Sequence, residues 1–333
     1  SIFVMIAQAF DPAAAARHHG FRAALARALT EPWCRPRDLA RLCCRILALQ
    51  GESAPDQNAD DDPLLAALLT TTPVVDLDLE RQLTAARRAL LDGAHADAAA
   101  PDDLLGFAIA LARQCFINEY VFAISDDEAR KVRALNDAVS AKLAAGGAVA
   151  PMAIALSAAY GPLHALADSE RLARRPDMAP IAALITQQIR EPQVEREIRA
   201  KIPALTPITD ATSTAVRAQY EQNSYPRWSA PVADRPPLAL DHYIRARFPA
   251  APYRDLGKRP IDLLVAGCGT GMHAIERVIQ FRPRHTLAID LSLSSLSYAA
   301  RKSREAGLTA IEFAQADILA LDALDRRFDL IDA

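Results

Sequence analysis

The apolar run Ile261-Asp-Leu-Leu-Val-Ala266 passes directly into Gly267-Cys-Gly-Thr-Gly271, and a helical stretch from Met272 to Phe281 follows. Few folds accommodate a buried strand that ends in three spaced glycines and re-enters a helix at once. Without side chains, Gly267, Gly269 and Gly271 let the backbone turn tightly and approach a ligand closely. The same alternation continues downstream. Thr286 to Asp290 reads as a second strand, Ser294 to Ala306 as a second helix closed by Gly307, Ala310 to Gln315 as a third strand, and Phe328 onward as a fourth. Strands and helices alternating at this pitch predict βαβ units and a parallel sheet.

The spacing G-x-G-x-G is weak evidence taken alone. A dinucleotide fingerprint would want glycine at position 272, where Met272 stands, and this tilts the reading away from a nicotinamide cofactor. Two carboxylates sharpen the expectation. Asp290 closes the second strand roughly 20 residues after the glycines, where an acid accepts hydrogen bonds from both ribose hydroxyls. Asp317 follows the third strand. Either acid alone could be an ordinary strand-end turn residue. The carboxyl ends of parallel strands open on one crevice, however, so the glycine loop and both acids should converge on a single pocket.

In these motifs residues 261–333 resemble the first half of a class I S-adenosylmethionine-dependent methyltransferase. VAGCGTG is similar to that family's glycine motif, LAIDLS to its acidic second-strand motif, AQADIL to its third-strand motif, and FDLIDA to the start of its fourth strand. The resemblance implies a Rossmann-like domain with S-adenosyl-L-methionine as cofactor. It places Gly267, Cys268, Gly269 and Gly271 along the methionine part and ribose, and Asp290, followed by Leu291, at the ribose hydroxyls. Asp317 would meet the adenine amino group, with Ile318 against the ring. It assigns no metal and no catalytic residue. One departure concerns the methionine end: the first strand finishes at Val265-Ala266 without the acidic residue that many members carry, so backbone carbonyls or water would hold the ammonium. Ala218 to Trp228 (AQYEQNSYPRW) and Leu111 to Phe122 (LARQCFINEYVF) resemble bacterial relatives in which a helical, tetratricopeptide-associated region precedes the methyltransferase core. No clean repeat of tetratricopeptide length is found in this chain. The start at Ser1 and the stop at Asp332-Ala333, inside an apparent strand, read as truncations, the second falling after motif II.

The region before the glycine loop reads differently. Residues 1–205 predict an all-helical domain rich in Ala, Leu and Arg, with strand-like runs nearly absent. Leu79, Leu83, Ala86 and Leu90 recur at helical spacing, with Gly93 as a stop. Leu104 to Phe116 is apolar nearly all round, as suits the buried centre of a bundle. Ser125 and Glu128 form a capping box. Gly51 to Asp62 (GESAPDQNADDD) reads as a loop or linker. Arg81, Arg87 and Arg88 suggest a solvated basic face, and Cys43-Cys44 simple packing. Residues 206–260 are crowded with prolines and predict an extended connector that is also a candidate cap for the cofactor site. There Tyr225, Arg227 and Trp228 could cover an adenosyl group or anchor the linker. His273, at the next helix start, reads as a solvated residue rather than a base.

The 333 residues carry a formal charge of −3, which gives no electrostatic reason to expect nucleic acid as a partner. The five cysteines form no CxxC pair. Irregular spacing and an odd count argue against a disulfide framework or a zinc site, and point to reduced thiols in a cytoplasmic protein. The apolar start lacks the features of a signal peptide, and Pro151 to Ala167 is too interrupted for a membrane span. The sequence thus predicts an α/β chain: a mainly helical N-terminal domain (1–205), the connector (206–260), and an incomplete Rossmann-like class I methyltransferase domain (261–333). The expected function is methyl transfer to an unidentified acceptor, whether protein, small molecule or lipid-linked. The helical domain is open to a protein partner. The alternatives are an NAD(P)-dependent oxidoreductase, or a helical interaction scaffold carrying a degenerate methyltransferase remnant.

Overall fold

A computed structural model describes residues 2–51, 62–95, 104–222, 225–229, 236–257 and 259–333. Residues 52–61 of the expected Gly51–Asp62 loop lie outside the described residues. The chain divides into two compact units: Ser1–Gln193 with Arg227–Pro231, and Val194–Pro226 with Val232–Ala333.

The first unit is helical. Its helices are α1 (Ile2–Gln8), α2 (Pro12–Arg17), α3 (His19–Thr30), α4 (Pro36–Gly51), α5 (Pro63–Thr71), α6 (Leu77–His95), α7 (Leu105–Ile117), α8 (Asp126–Ala144), α9 (Pro151–Tyr160) and α10 (Ala182–Ile185). The α7 helix is apolar nearly all round because it is enclosed: Gln114, Cys115, Phe116 and Ile117, consecutive residues that span a full turn, are all buried. Its one buried amide is fully used. Gln114 donates to the carbonyls of Leu69 (3.0 Å) and Thr72 (2.9 Å) and accepts from the Val74 N–H (3.0 Å). The capping box forms at α8: Ser125 Oγ accepts from the Glu128 N–H, and the Glu128 carboxylate accepts from the Ser125 N–H. Cys43 and Cys44 are fully buried in the core, where desolvation pushes their thiols up to about 12 and about 11. They are packing residues, uncharged at neutral pH.

Two expectations are corrected here. The α6 helix runs past Gly93 to His95; a helical glycine costs only about 1 kcal/mol relative to alanine, which the packing of the helix outweighs. Arg87 is not on a solvated face. It is wholly buried, its guanidinium lying 4.2 Å from the Tyr160 ring centroid and donating to the Ala123 carbonyl at 2.8 Å. Arg81 and Arg88 keep their exposure, at 70% and 51% of the side chain.

The second unit holds a four-stranded parallel sheet, β1 (Asp262–Ala266), β2 (His285–Asp290), β3 (Ile311–Gln315) and β4 (Leu330–Asp332), in the order β3-β2-β1-β4. Its helices include α12 (Ala211–Gln222), α13 (Leu240–Arg247), α14 (Met272–Phe281) and α15 (Leu293–Glu305); α11 (Glu191–Arg199) contains the division between the units. Strands and helices fall within a residue or two of their expected positions. Leu264, Ala266, Leu287, Ile289, Ala314 and Ala316 form a buried cluster with Leu205 packed against it.

The compositional division at 205 and the compact division at Gln193 differ because residues 194–226 bond to the sheet and to α15. Arg301 on α15 pairs with Glu195 at 2.8 Å, and Pro203–Leu205 runs parallel to β3, bonding Gln315 through both its N–H and its carbonyl at 2.8 Å each. The expectation of an extended connector is corrected as well, since α12 and α13 fold inside residues 206–260. The prolines flank these helices instead of interrupting them. Pro207 precedes α12, Pro226 follows it, and Pro236-Pro237 and Pro249 bracket α13. Proline is compatible with the borders of a helix and breaks only its interior.

Candidate functional site

The carboxyl end of β1 opens into the glycine loop, where Gly267, Gly269 and Gly271 all have positive φ (73°, 53° and 84°). The three glycines differ in what surrounds them. A Cβ on Gly271 would lie 2.5 Å from Ala299 Cβ on α15, so this glycine permits close helix packing. A Cβ on Gly267 would reach Ile318 Cδ1 at 3.5 Å, which puts Ile318 against the loop. A Cβ on Gly269 would meet nothing within 4 Å: the space above this residue is open.

The loop is fastened to the end of β2. The N–H groups of Gly267 and Cys268 both donate to the Ile289 carbonyl at 2.9 Å. The Gly269 N–H donates to Asp290 Oδ2 at 2.8 Å, while the Ser292 N–H donates to Oδ1 at 2.9 Å. Burial pushes the Asp290 carboxyl above the usual range, although these backbone donors work against the shift. Leu291 is half-buried, its carbonyl accepting from the Gln315 side-chain amide at 2.7 Å. Cys268 is buried, and desolvation holds its thiol well above the usual range, so the residue offers no thiolate.

Asp317, two residues past the end of β3, is buried at 3% exposure. One carboxylate oxygen accepts from the Leu319 N–H at 2.9 Å, and the Asp317 N–H donates to Thr206 Oγ1 at 2.7 Å. Ile318 beside it is 46% exposed. The structure therefore joins Gly269 to Asp290 directly and sets Ile318 over Gly267, with Asp317 at the carboxyl end of the neighbouring strand.

Sequence reasoning missed the contribution of the segment before the sheet. Glu221, at the end of α12, accepts from the Leu293 N–H (2.5 Å), Ser294 Oγ (3.0 Å) and Arg199 (2.7 Å), which fastens α12 to the start of α15. Ser292 Oγ donates to the Tyr220 carbonyl at 3.1 Å, and Thr270 Oγ1 to the Pro226 carbonyl at 2.8 Å. The only sequence signal was the position of Ala218–Trp228 just ahead of the core. Of the candidate capping residues, Tyr225 is half exposed. Arg227 and Trp228 belong to the helical unit, where Arg227 pairs with Glu119 and stacks on Phe116 (4.5 Å to the ring centroid) and Trp228 is buried. Among the described residues no helix is long and apolar enough to cross a membrane.

Residues 263–333 match a protein family described as a methyltransferase domain. That match begins one residue into β1 and takes in the glycine loop, Asp290 and Asp317. Comparisons with curated proteins and with solved structures gave no match.

Proposed function

We propose that residues 261–333, together with Pro203–Thr206 and α12, form a Rossmann-like S-adenosyl-L-methionine site of class I, serving methyl transfer to a protein, small-molecule or lipid-linked acceptor. The observation that carries this reading is the junction of Asp290 with Gly269. A half-buried carboxylate, acceptor only, stands beside a loop glycine with open space where its side chain would be. Ribose hydroxyls are donors of matching chemistry. Gly267, Cys268, Gly269 and Gly271 would supply the backbone floor, Asp290 and Leu291 the ribose contacts, and Asp317 and Ile318 the adenine contacts.

When bound, the cofactor supplies an electrophilic methyl group on a sulfonium. The chain's own part is to bind and orient. Such alignment supplies several kcal/mol and up to roughly 7–11 in favourable models. Asp290 fixes the ribose while its bond to Gly269 holds the loop in one conformation. The clamp of Glu221 on Leu293 and Ser294 keeps α12 beside the Asp290–Ser292 turn. The site residues include no assigned general base.

The test is calorimetric titration with S-adenosylhomocysteine. Asp290→Ala is expected to weaken binding by about 1.5–3 kcal/mol, the range for hydrogen bonds to a charged group. Unchanged affinity removes Asp290 from the site. Binding of NADH in place of S-adenosylhomocysteine would turn the reading to an oxidoreductase.

A further inference from the structure

The strand order sets the direction in which a nucleoside ligand must lie. With the adenine side at Asp317 after β3 and the ribose at Asp290 after β2, the rest of the ligand extends over β1 toward β4. For S-adenosylmethionine that remainder is an α-amino acid, with an ammonium and a carboxylate. β1 offers no charge there: Leu263, Leu264, Val265 and Ala266 are all apolar. The neighbouring strand does. Asp332 on β4 stands directly opposite Val265 in register. It is 22% exposed and ionised: burial raises its carboxyl, but hydrogen bonds from His273 and Arg277 outweigh that and hold it below the usual range.

The way Asp332 is held matters as much as its place. His273 Nε2 lies 2.9 Å and Arg277 Nε 2.5 Å from the same oxygen, Oδ2. Oδ1 has no hydrogen-bond partner among the described residues. His273 is in the first turn of α14, immediately after the glycine loop, so α14 and β4 meet at the methionine side of the crevice. Arg277 and, in its Nε2–H form, His273 hold the carboxylate through one oxygen, and the other remains an acceptor in a partly desolvated position, where a charge-assisted hydrogen bond is strong.

We infer that Asp332 is the acceptor for the α-ammonium of the cofactor, supplied from β4 where β1 carries no acid, with His273 and Arg277 as its positioning residues. The assignment rests on the methyltransferase reading above. It gives Asp332 a role confined to one end of the ligand, and that makes it separable from a structural role.

The experiment compares two ligands on the full chain by calorimetry: S-adenosylhomocysteine, which carries the amino acid, and 5′-methylthioadenosine, which shares the nucleoside thioether and lacks it. Asp332→Asn is expected to weaken S-adenosylhomocysteine binding by roughly 10- to 100-fold. Binding of 5′-methylthioadenosine should stay within about twofold, far less than the loss of one charge-assisted bond. Equal losses for both ligands would make Asp332 structural and overturn the assignment, as would an unchanged affinity for S-adenosylhomocysteine. A wild-type chain that binds neither ligand would overturn the methyltransferase reading itself, and this assignment with it.

Discussion

Glu128→Ala should destabilise the helical unit by about 3–5 kcal/mol, the range for removing one partner of a buried ion pair. The Glu128 side chain is 1% exposed and serves groups from four residues. It accepts from the Ser125 N–H (2.9 Å), Tyr160 Oη (2.9 Å) and Arg88 (3.1 Å), and it lies 3.8 Å from the guanidinium of buried Arg87. Alanine leaves Arg87 without its carboxylate and removes half of the α8 capping box. Arg88→Ala is the contrast, because that side chain is half exposed and its ion pair should contribute less than about 1 kcal/mol. Both tryptophans of the chain, Trp33 and Trp228, belong to this unit, so their fluorescence in urea reports on it alone. Equal midpoints for the two variants would show that Glu128 is not the anchor described.

The same carboxylate makes a pH signature. Burial raises the Glu128 carboxyl, but the hydrogen bonds from Ser125, Tyr160 and Arg88 prevail and bring it down to about 2 from an ordinary 4.5. A depressed folded-state value means the stabilisation is complete above the unfolded value and is lost as pH falls from 4.5 toward 2. Acid unfolding monitored by tryptophan fluorescence should therefore begin in that window, and the acid-dependent part of the stability should be smaller in Glu128→Ala.

Arg87 shows where the sequence was legible and where it was not. Leu79, Leu83, Arg87 and Leu91 follow one another at intervals of four and are all at most 3% exposed. The spacing showed Leu79 and Leu83, but the expected row went on through Ala86 and Leu90, which are only half-buried, and charge drew Arg87 out of it. Its partner Glu128 is supplied by another helix, a pairing that helical periodicity does not encode. The α/β unit was more readable because each of its signals is local: an apolar run, glycines, a helix, then an acid at a strand end. The role of residues 194–226 was hidden for the opposite reason. Leu205 and Thr206 bond across the edge of β3 to residues more than a hundred positions away, and Glu221 reaches Leu293 and Ser294. The proline count registered the breaks between α12 and α13 and not the helices themselves.

Gly269→Val should abolish S-adenosylhomocysteine binding, a loss of more than roughly 100-fold, while the α/β unit stays folded. The geometry separates this glycine from its neighbour. At Gly271 the added Cβ would lie 2.5 Å from Ala299 Cβ, so Gly271→Val forces α14 away from α15 and damages the fold itself. At Gly269 no atom stands within 4 Å of the added Cβ, and φ is +53°, so the protein bears only the backbone strain, about 1–2 kcal/mol. The valine would then project into the space assigned to the ligand, next to the Gly269 N–H that donates to Asp290. Strain at this residue would also loosen that bond and the orientation of the carboxylate. Calorimetry reads the affinity, and hydrogen exchange of β1, β2 and α15 reads the fold. Both variants should lose binding, but only Gly271→Val should lose amide protection across the sheet. If Gly269→Val binds S-adenosylhomocysteine as the wild type does, the open space above Gly269 is not where the ligand lies, and the cofactor site must be sought elsewhere in the chain.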